Sequence, residues 1–198
     1  MRILTHPIIQ NSFSLDNITV SLIRFHVMQR DKTFSSSDED ARNRFISAHV
    51  TAQLQGTGNV CADQQTGGTS PTGKSIGERD FVIKDEIGQE ILIYEGLNLK
   101  LLNKAYLNTH IDKVLKNYNP QGLRYSILVT YLECEQDKFK RFTDKYKDHI
   151  SGYAPEFYSC IGEPEEIGFG GGFLRCMKMQ YEVGGVYFEI YHIVVRMG

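Results

Sequence analysis

Two carboxylates, Asp80 and Glu95, have the spacing that could hold a hard metal ion. Asp80 comes just before the apolar run at residues 81–83, and Glu95 comes just after the apolar run at residues 91–94. Residues 85–88 read as a turn, so the pattern predicts an antiparallel hairpin with both carboxylates at the end opposite the turn. Mg²⁺ takes oxygen ligands, usually one or two carboxylates with water and substrate phosphate. Asp80 and Glu95 are therefore candidate ligands of Mg²⁺ or Mn²⁺.

The elements around this pair alternate between helix and strand. Apolar residues at three- and four-residue spacing predict three helices, and runs rich in β-branched residues predict further strands. The predicted helices cover about residues 38–55, 102–118 and 136–150. The predicted strands cover residues 18–23, 125–132, 173–183 and 186–197, the last two forming a C-terminal β-hairpin around Gly184 and Gly185. Residues 56–77 are predicted to be a mobile loop, apart from a brief strand at 60–62. The order predicts an α/β fold with a mixed central sheet flanked by helices.

Length and composition favour a single globular domain. The chain has 198 residues, of which 41% are hydrophobic and 23% charged, as in an ordinary folded protein. No apolar run approaches the length of a membrane span, and polar residues interrupt the first 25 positions, so we expect no membrane partner and a cytoplasmic location. The four cysteines are far apart in sequence and contain no C-x-x-C pair, so they predict neither a zinc site nor a disulfide framework.

The charge is uneven along the chain although the net charge is only −2. Residues 96–147 contain ten Lys and Arg against five Asp and Glu, whereas residues 1–95 contain nine against twelve. A basic segment that follows an acidic site suits an enzyme that cuts phosphodiester bonds, because the cations would hold the phosphates. A solvated helix surface is the equally weighted alternative.

A phosphate-loop expression, G-x-x-x-x-G-K-[ST], matches residues 68–75 and includes Lys74. That motif binds phosphate when a buried strand enters the loop and a helix leaves it. Polar residues precede this match and an apolar, strand-like run follows it, so the sequence argues against a nucleotide-binding loop. Lys74 remains a candidate contact to a nucleic-acid phosphate.

The loop that ends in Gly77-Glu78-Arg79-Asp80, the strand pair ending at Glu95 and the following helix and buried strand resemble the PD-(D/E)xK nuclease superfamily. The likeness is stronger to nuclease-like domains of prokaryotic defence proteins. It implies a restriction-endonuclease-like core at residues 36–135, after an N-terminal extension at residues 1–35. Residues 136–198 would then add a helix and the C-terminal hairpin to the same domain.

The resemblance implies that Asp80 and Glu95 are catalytic metal ligands, with Glu78 and either Glu39 or Asp40 completing the set. The superfamily usually places a lysine two residues after the glutamate, but this position is Leu97. Lys100 is the favoured substitute. Lys84 is the second candidate, since side chains repeat every second residue along a strand face.

The helix after the second strand brings His110, Lys113 and Asn117 to one face by their three- and four-residue spacing. The resemblance implies that such a helix contacts substrate phosphate, so His110 and Lys113 are candidate nucleic-acid-binding residues. An ordinary charged helix surface is the alternative.

Together these features lead us to expect a Mg²⁺- or Mn²⁺-dependent endonuclease that acts on DNA in preference to RNA, as an antiviral defence effector. A homodimer or a larger defence-protein partner is compatible with this expectation. The alternative is a catalytically inactive binding or regulatory module with the same fold. A phosphate-loop nucleotide hydrolase ranks third.

Overall fold

The computed structural model describes residues 39–69, 76–119, 122–167 and 172–197. These residues form three α-helices: α1 (Glu39–Gln53), α2 (Lys104–Asp112) and α3 (Gln136–Ser151). A five-residue π-helical turn, Lys113–Asn117, continues α2. The strands are β1 (Val60–Thr69), β2 (Ile76–Lys84), β3 (Glu90–Leu99), β4 (Tyr125–Glu133), β5 (Ser159–Glu166), β6 (Leu174–Val183) and β7 (Val186–Met197).

All seven strands belong to one mixed sheet in the order β1-β2-β3-β4-β7-β6-β5. The central pairs β3–β4 and β4–β7 are parallel, and the outer pairs are antiparallel. Parallel neighbours need a crossover connection, and α2 supplies it between β3 and β4. The predicted α/β fold with a mixed central sheet and flanking helices is confirmed.

The sheet separates two hydrophobic cores. On one face, Ile46 and Val50 of α1 pack with Tyr94 and Val129. On the other face, α2 and α3 pack against the residues of β3 and β4 that point the opposite way, such as Leu128. Because β4 is buried on both faces, its sequence is a continuous apolar run rather than an alternating one.

The C-terminal hairpin is confirmed, with Val183 paired to Val186 across the turn. Gly184 and Gly185 have φ angles of +59° and +83°, a region that side chains with a Cβ rarely occupy. Of the helices that the structure describes, none is both long and apolar enough to cross a membrane.

Two sequence expectations need correction, and one strand was not predicted. The prediction of a loop at residues 56–77 is wrong, because Val60–Thr69 forms β1, a ten-residue edge strand paired with β2. β2 begins at Ile76 and β3 continues to Leu99, so Asp80 and Glu95 both lie inside their strands and not at the strand ends. β5 was not predicted, because six of its eight residues are exposed and no apolar alternation marks it. The predicted strand at residues 18–23 lies outside the described residues.

Candidate functional site

The site lies where β2 and β3 separate. These strands pair only as far as Phe81 with Tyr94. Beyond that pair, β2 stays with β1, while β3 continues along β4 to Leu99. Asp80 and Glu95 are the next residue on each strand, so they lie side by side at the point of separation. The predicted proximity of these two residues therefore follows from the strand register.

Both side chains point to the sheet face that α2 covers. Val82, two residues after Asp80, and Ile93, two residues before Glu95, belong to the hydrophobic core on that face. Side chains alternate between faces along a strand, so Asp80 and Glu95 share the face of these neighbours. Two acidic groups thus border a hydrophobic core and have little access to bulk water.

Asp80 is held by the backbone of the neighbouring strand. Its Oδ2 accepts a hydrogen bond from the Gly96 amide at 2.6 Å. Burial and the nearby Glu95 carboxylate are the main causes that raise the pKa of Asp80 to about 8; Glu39 adds to the increase, while the Gly96 hydrogen bond and Lys113 oppose it. A carboxyl group with such a pKa holds a proton at neutral pH unless a cation replaces it.

Glu95 is almost fully buried and carries two partners on one oxygen. Its Oε1 accepts from Lys113 Nζ at 2.7 Å and lies 3.0 Å from His110 Nδ1. Its other oxygen, Oε2, is buried and has no hydrogen-bond partner among the described residues. An unpaired buried carboxylate oxygen is costly, so Glu95 has a free coordination position.

Lys113 is the first residue of the π-helical turn, and its side chain is 21% exposed. Burial acts to lower the pKa of this amine, but the adjacent Glu95 carboxylate and its hydrogen bond lead to a net increase. The ammonium also lies 5.7 Å from the centre of the Tyr118 ring. Single π-helical turns are frequent at functional sites, and this one begins at the only Lys that contacts Glu95 among the described residues.

Glu39 approaches the site from the first turn of α1. Its Oε2 accepts from the Asn98 amide of β3 at 3.0 Å. Burial raises the pKa of Glu39, and the Glu95 carboxylate adds to this effect, while His110 and Lys113 oppose it. Glu39, Asp80 and Glu95 therefore form an acidic cluster whose members influence one another electrostatically.

The structure places Lys100 and Lys84 away from Glu95 and Asp80, and it does not describe the side chains of Glu78 and Lys74. Lys100 is 80% exposed and pairs with Glu133 at 3.0 Å, so its amine does not lie at Glu95. Lys84 is opposite Glu90 near the hairpin turn, four residues along the strand from Asp80. The backbone of Glu78 is paired with Thr66, but its side chain lies outside the described part. Lys74 lies outside the described residues altogether.

His110 is buried against Glu95 and not displayed on an open helix surface. The ring of Tyr106, one turn earlier on α2, meets the His110 ring edge to face with centroids 4.6 Å apart. Sequence spacing placed His110 and Lys113 on one helix face but gave no sign that this face turns inward. The contact partner could be found only from the packing of α2 on β3.

The donor set suits a hard cation held by a small number of protein oxygens. No group of three or more His, Cys, Asp or Glu with metal-site geometry occurs among the described residues. Mg²⁺ commonly uses one or two carboxylates and retains water. The free Oε2 of Glu95 and the carboxyl of Asp80, whose ionisation is suppressed by burial, fit that minimal requirement.

Comparisons with models of known protein families, with curated protein sequences and with solved structures returned no match.

Proposed function

We propose that this protein is a divalent-metal-dependent nuclease of the restriction-endonuclease-like class. One observation carries the proposal: Asp80 and Glu95 adjoin where two strands separate, and Lys113 Nζ lies 2.7 Å from Glu95. Two carboxylates and one lysine are the groups that hydrolysis of a phosphodiester by this class requires. DNA in preference to RNA, and a role in antiviral defence, remain part of this proposal.

Asp80 and Glu95 would hold the cation, with Glu39 as an additional acidic group beside them. Bound Mg²⁺ or Mn²⁺ would supply Lewis acidity and offset the charge of the phosphate. His110 contacts Glu95 through Oε1, which would leave Oε2 of Glu95 to bind the cation. Asp80 would release its proton when the cation enters, because a neighbouring positive charge favours the ionised carboxylate.

Lys113, and neither Lys100 nor Lys84, would take the role of the superfamily lysine. In hydrolysis a water oxygen bonds to phosphorus and gives up one proton to solvent, the bond from phosphorus to the leaving oxygen breaks, and the leaving oxygen takes up one proton. The Lys113 ammonium lies at the carboxylate cluster and can donate to the attacking water or to a phosphate oxygen. Such a positioned donor stabilises the charge that develops in the transition state.

The test is cleavage of plasmid DNA, linear DNA and RNA by the purified protein with Mg²⁺, Mn²⁺ or EDTA. We expect cleavage that requires the metal and is lost in Asp80→Asn and Glu95→Gln. Lys113→Met should reduce kcat by about 100-fold, the usual scale of one electrostatic donor. The matched control Lys100→Met should retain wild-type activity. Equal activity of Lys113→Met and wild type would exclude Lys113 from the reaction.

A non-cleaving binding module is the second candidate, and one observation favours it. Glu95 Oε1 already accepts from both His110 and Lys113, an arrangement that can satisfy a carboxylate without a metal. This candidate predicts no cleavage under any metal condition and unchanged thermal stability on addition of Mn²⁺. The phosphate-loop hydrolase has less support, since strand β2 and not a helix follows residues 68–75.

A further inference from the structure

Two backbone amides of β3 donate hydrogen bonds to carboxylates and not to the carbonyl groups of a neighbouring strand. After Tyr94, β3 no longer pairs with β2. The amides of Gly96 and Asn98 donate instead to Asp80 Oδ2 at 2.6 Å and to Glu39 Oε2 at 3.0 Å. Buried amides must find partners, and amides two residues apart point to the same side of a strand. The position of this stretch of β3 therefore fixes where the two carboxylates lie.

Asn43 of α1 packs directly against this stretch. A Cβ added to Gly96 would lie 2.5 Å from Asn43 Oδ1 and 3.0 Å from Nδ2. Distances this short do not allow a side chain at position 96 while Asn43 keeps this position, so the amide group of Asn43 lies directly against the Gly96 backbone. Glycine is required here by a close approach, because the backbone must leave room for another group.

A buried polar layer holds Asn43 in this position. Tyr131 donates from its hydroxyl to Asn43 Oδ1 at 2.9 Å, and the Tyr94 hydroxyl lies 2.9 Å from that of Tyr131. Arg42 stacks 5.4 Å from the centre of the Tyr131 ring and donates to the Asn98 side chain at 2.5 Å. The layer therefore connects α1 to β3 and β4 directly beneath the two amides.

A contribution to stability does not explain why Asn43 occupies this buried position. The Asn43 Nδ2 group is buried and has no hydrogen-bond partner among the described residues. An unpaired buried donor destabilises the folded state, and an apolar side chain would avoid that cost. What the Asn43 amide provides in return is a close contact that fixes the position of the Gly96 backbone.

We infer that Asn43 is a positioning residue, which sets the Gly96 and Asn98 amides and through them the spacing of Asp80 and Glu39. Its importance for catalysis rests on the proposed function. The geometric part of the inference does not, since the amide positions can be measured without metal or substrate.

The experiment compares Asn43→Ala with Asn108→Ala, a matched control whose side chain pairs with His149 away from this layer. Amide hydrogen exchange is measured residue by residue in the full chain. We expect the Gly96 and Asn98 amides to exchange about 10-fold faster in Asn43→Ala, relative to Leu128 in the central strand. The Mn²⁺ dissociation constant should rise about 10-fold, and kcat should fall while KM stays unchanged, as for a misplaced reacting group.

Tyr131→Phe provides a milder test if Asn43→Ala does not fold, because it removes only the hydroxyl that holds Asn43. Its control is Tyr146→Phe, a buried tyrosine whose hydroxyl contacts Thr130 and His192. Unchanged exchange at Gly96 and Asn98 in a folded variant would overturn the inference. So would faster exchange with wild-type Mn²⁺ affinity and kcat. A wild-type protein that neither cuts nor binds Mn²⁺ would overturn the proposed function alone, since the exchange measurement still decides the positioning.

Discussion

Asp80→Asn should stabilise the metal-free protein at neutral pH. The pKa of Asp80 rises from an ordinary 3.8 to about 8 because of burial and the neighbouring carboxylates. The unfolded chain gives up this proton above pH 3.8, whereas the folded chain keeps it until about pH 8. Stability from this group is therefore present at low pH and is lost as the pH rises between these values.

The magnitude follows from the interval between the two pKa values. Each pH unit within it corresponds to about 1.4 kcal/mol, so the upper limit at pH 7 is about 4 kcal/mol. Water penetration and relaxation reduce such effects, and we expect about 2–4 kcal/mol. Asparagine has no charge to lose and its Oδ1 can still accept from Gly96, so the variant should escape this cost.

The assay is urea unfolding of wild type and Asp80→Asn from pH 4 to pH 8 in EDTA, then with Mn²⁺. The difference in unfolding free energy should be near zero at pH 4 and largest at pH 8. Mn²⁺ should stabilise wild type more than the variant, because a ligand that binds only the folded state adds stability. Asp148→Asn, at an exposed position of α3, is the control. A difference that does not change with pH would refute the reasoning.

Three further outcomes concern the scaffold. His192 is fully buried, and burial lowers its pKa from 6.5 to about 3. Acidification from pH 6.5 to 5 should therefore lower the unfolding free energy of the wild-type protein by about 2 kcal/mol. Urea unfolding of His192→Asn should show no such loss. Arg79→Met should destabilise by about 3 kcal/mol in urea unfolding, because Arg79 is buried and pairs with Glu90 through both oxygens at 2.6 and 2.7 Å; a loss below about 0.5 kcal/mol would contradict this. Ile111→Ala, in the core, should lower stability by about 2–5 kcal/mol, whereas Ile87→Ala, 67% exposed, should change little in the same measurement.

Most helices and central strands were predictable because burial leaves a periodic pattern. The apolar positions of α1 and α2 recur at helical spacing, and β4 is continuously apolar because both of its faces are covered. The edge strands were not predictable by the same means. β1 is rich in Thr, Gln and Gly, and β5 carries Gly, Pro and Glu, so backbone pairing with a neighbour forms them without a hydrophobic signal of their own.

For the candidate site, the sequence by itself determined that Asp80 and Glu95 meet. The turn between two short apolar runs sets the register of a hairpin, and that register is a local property. Which lysine joins them was decided only by the tertiary structure. Sequence distance favoured Lys100, but Lys100 follows the end of β3 and pairs with Glu133. The packing of α2 on the sheet places Lys113 beside Glu95. The contacts of Asn43 and Glu39 with β3 likewise join positions more than 50 residues apart, and only the folding of α1 onto the sheet creates them.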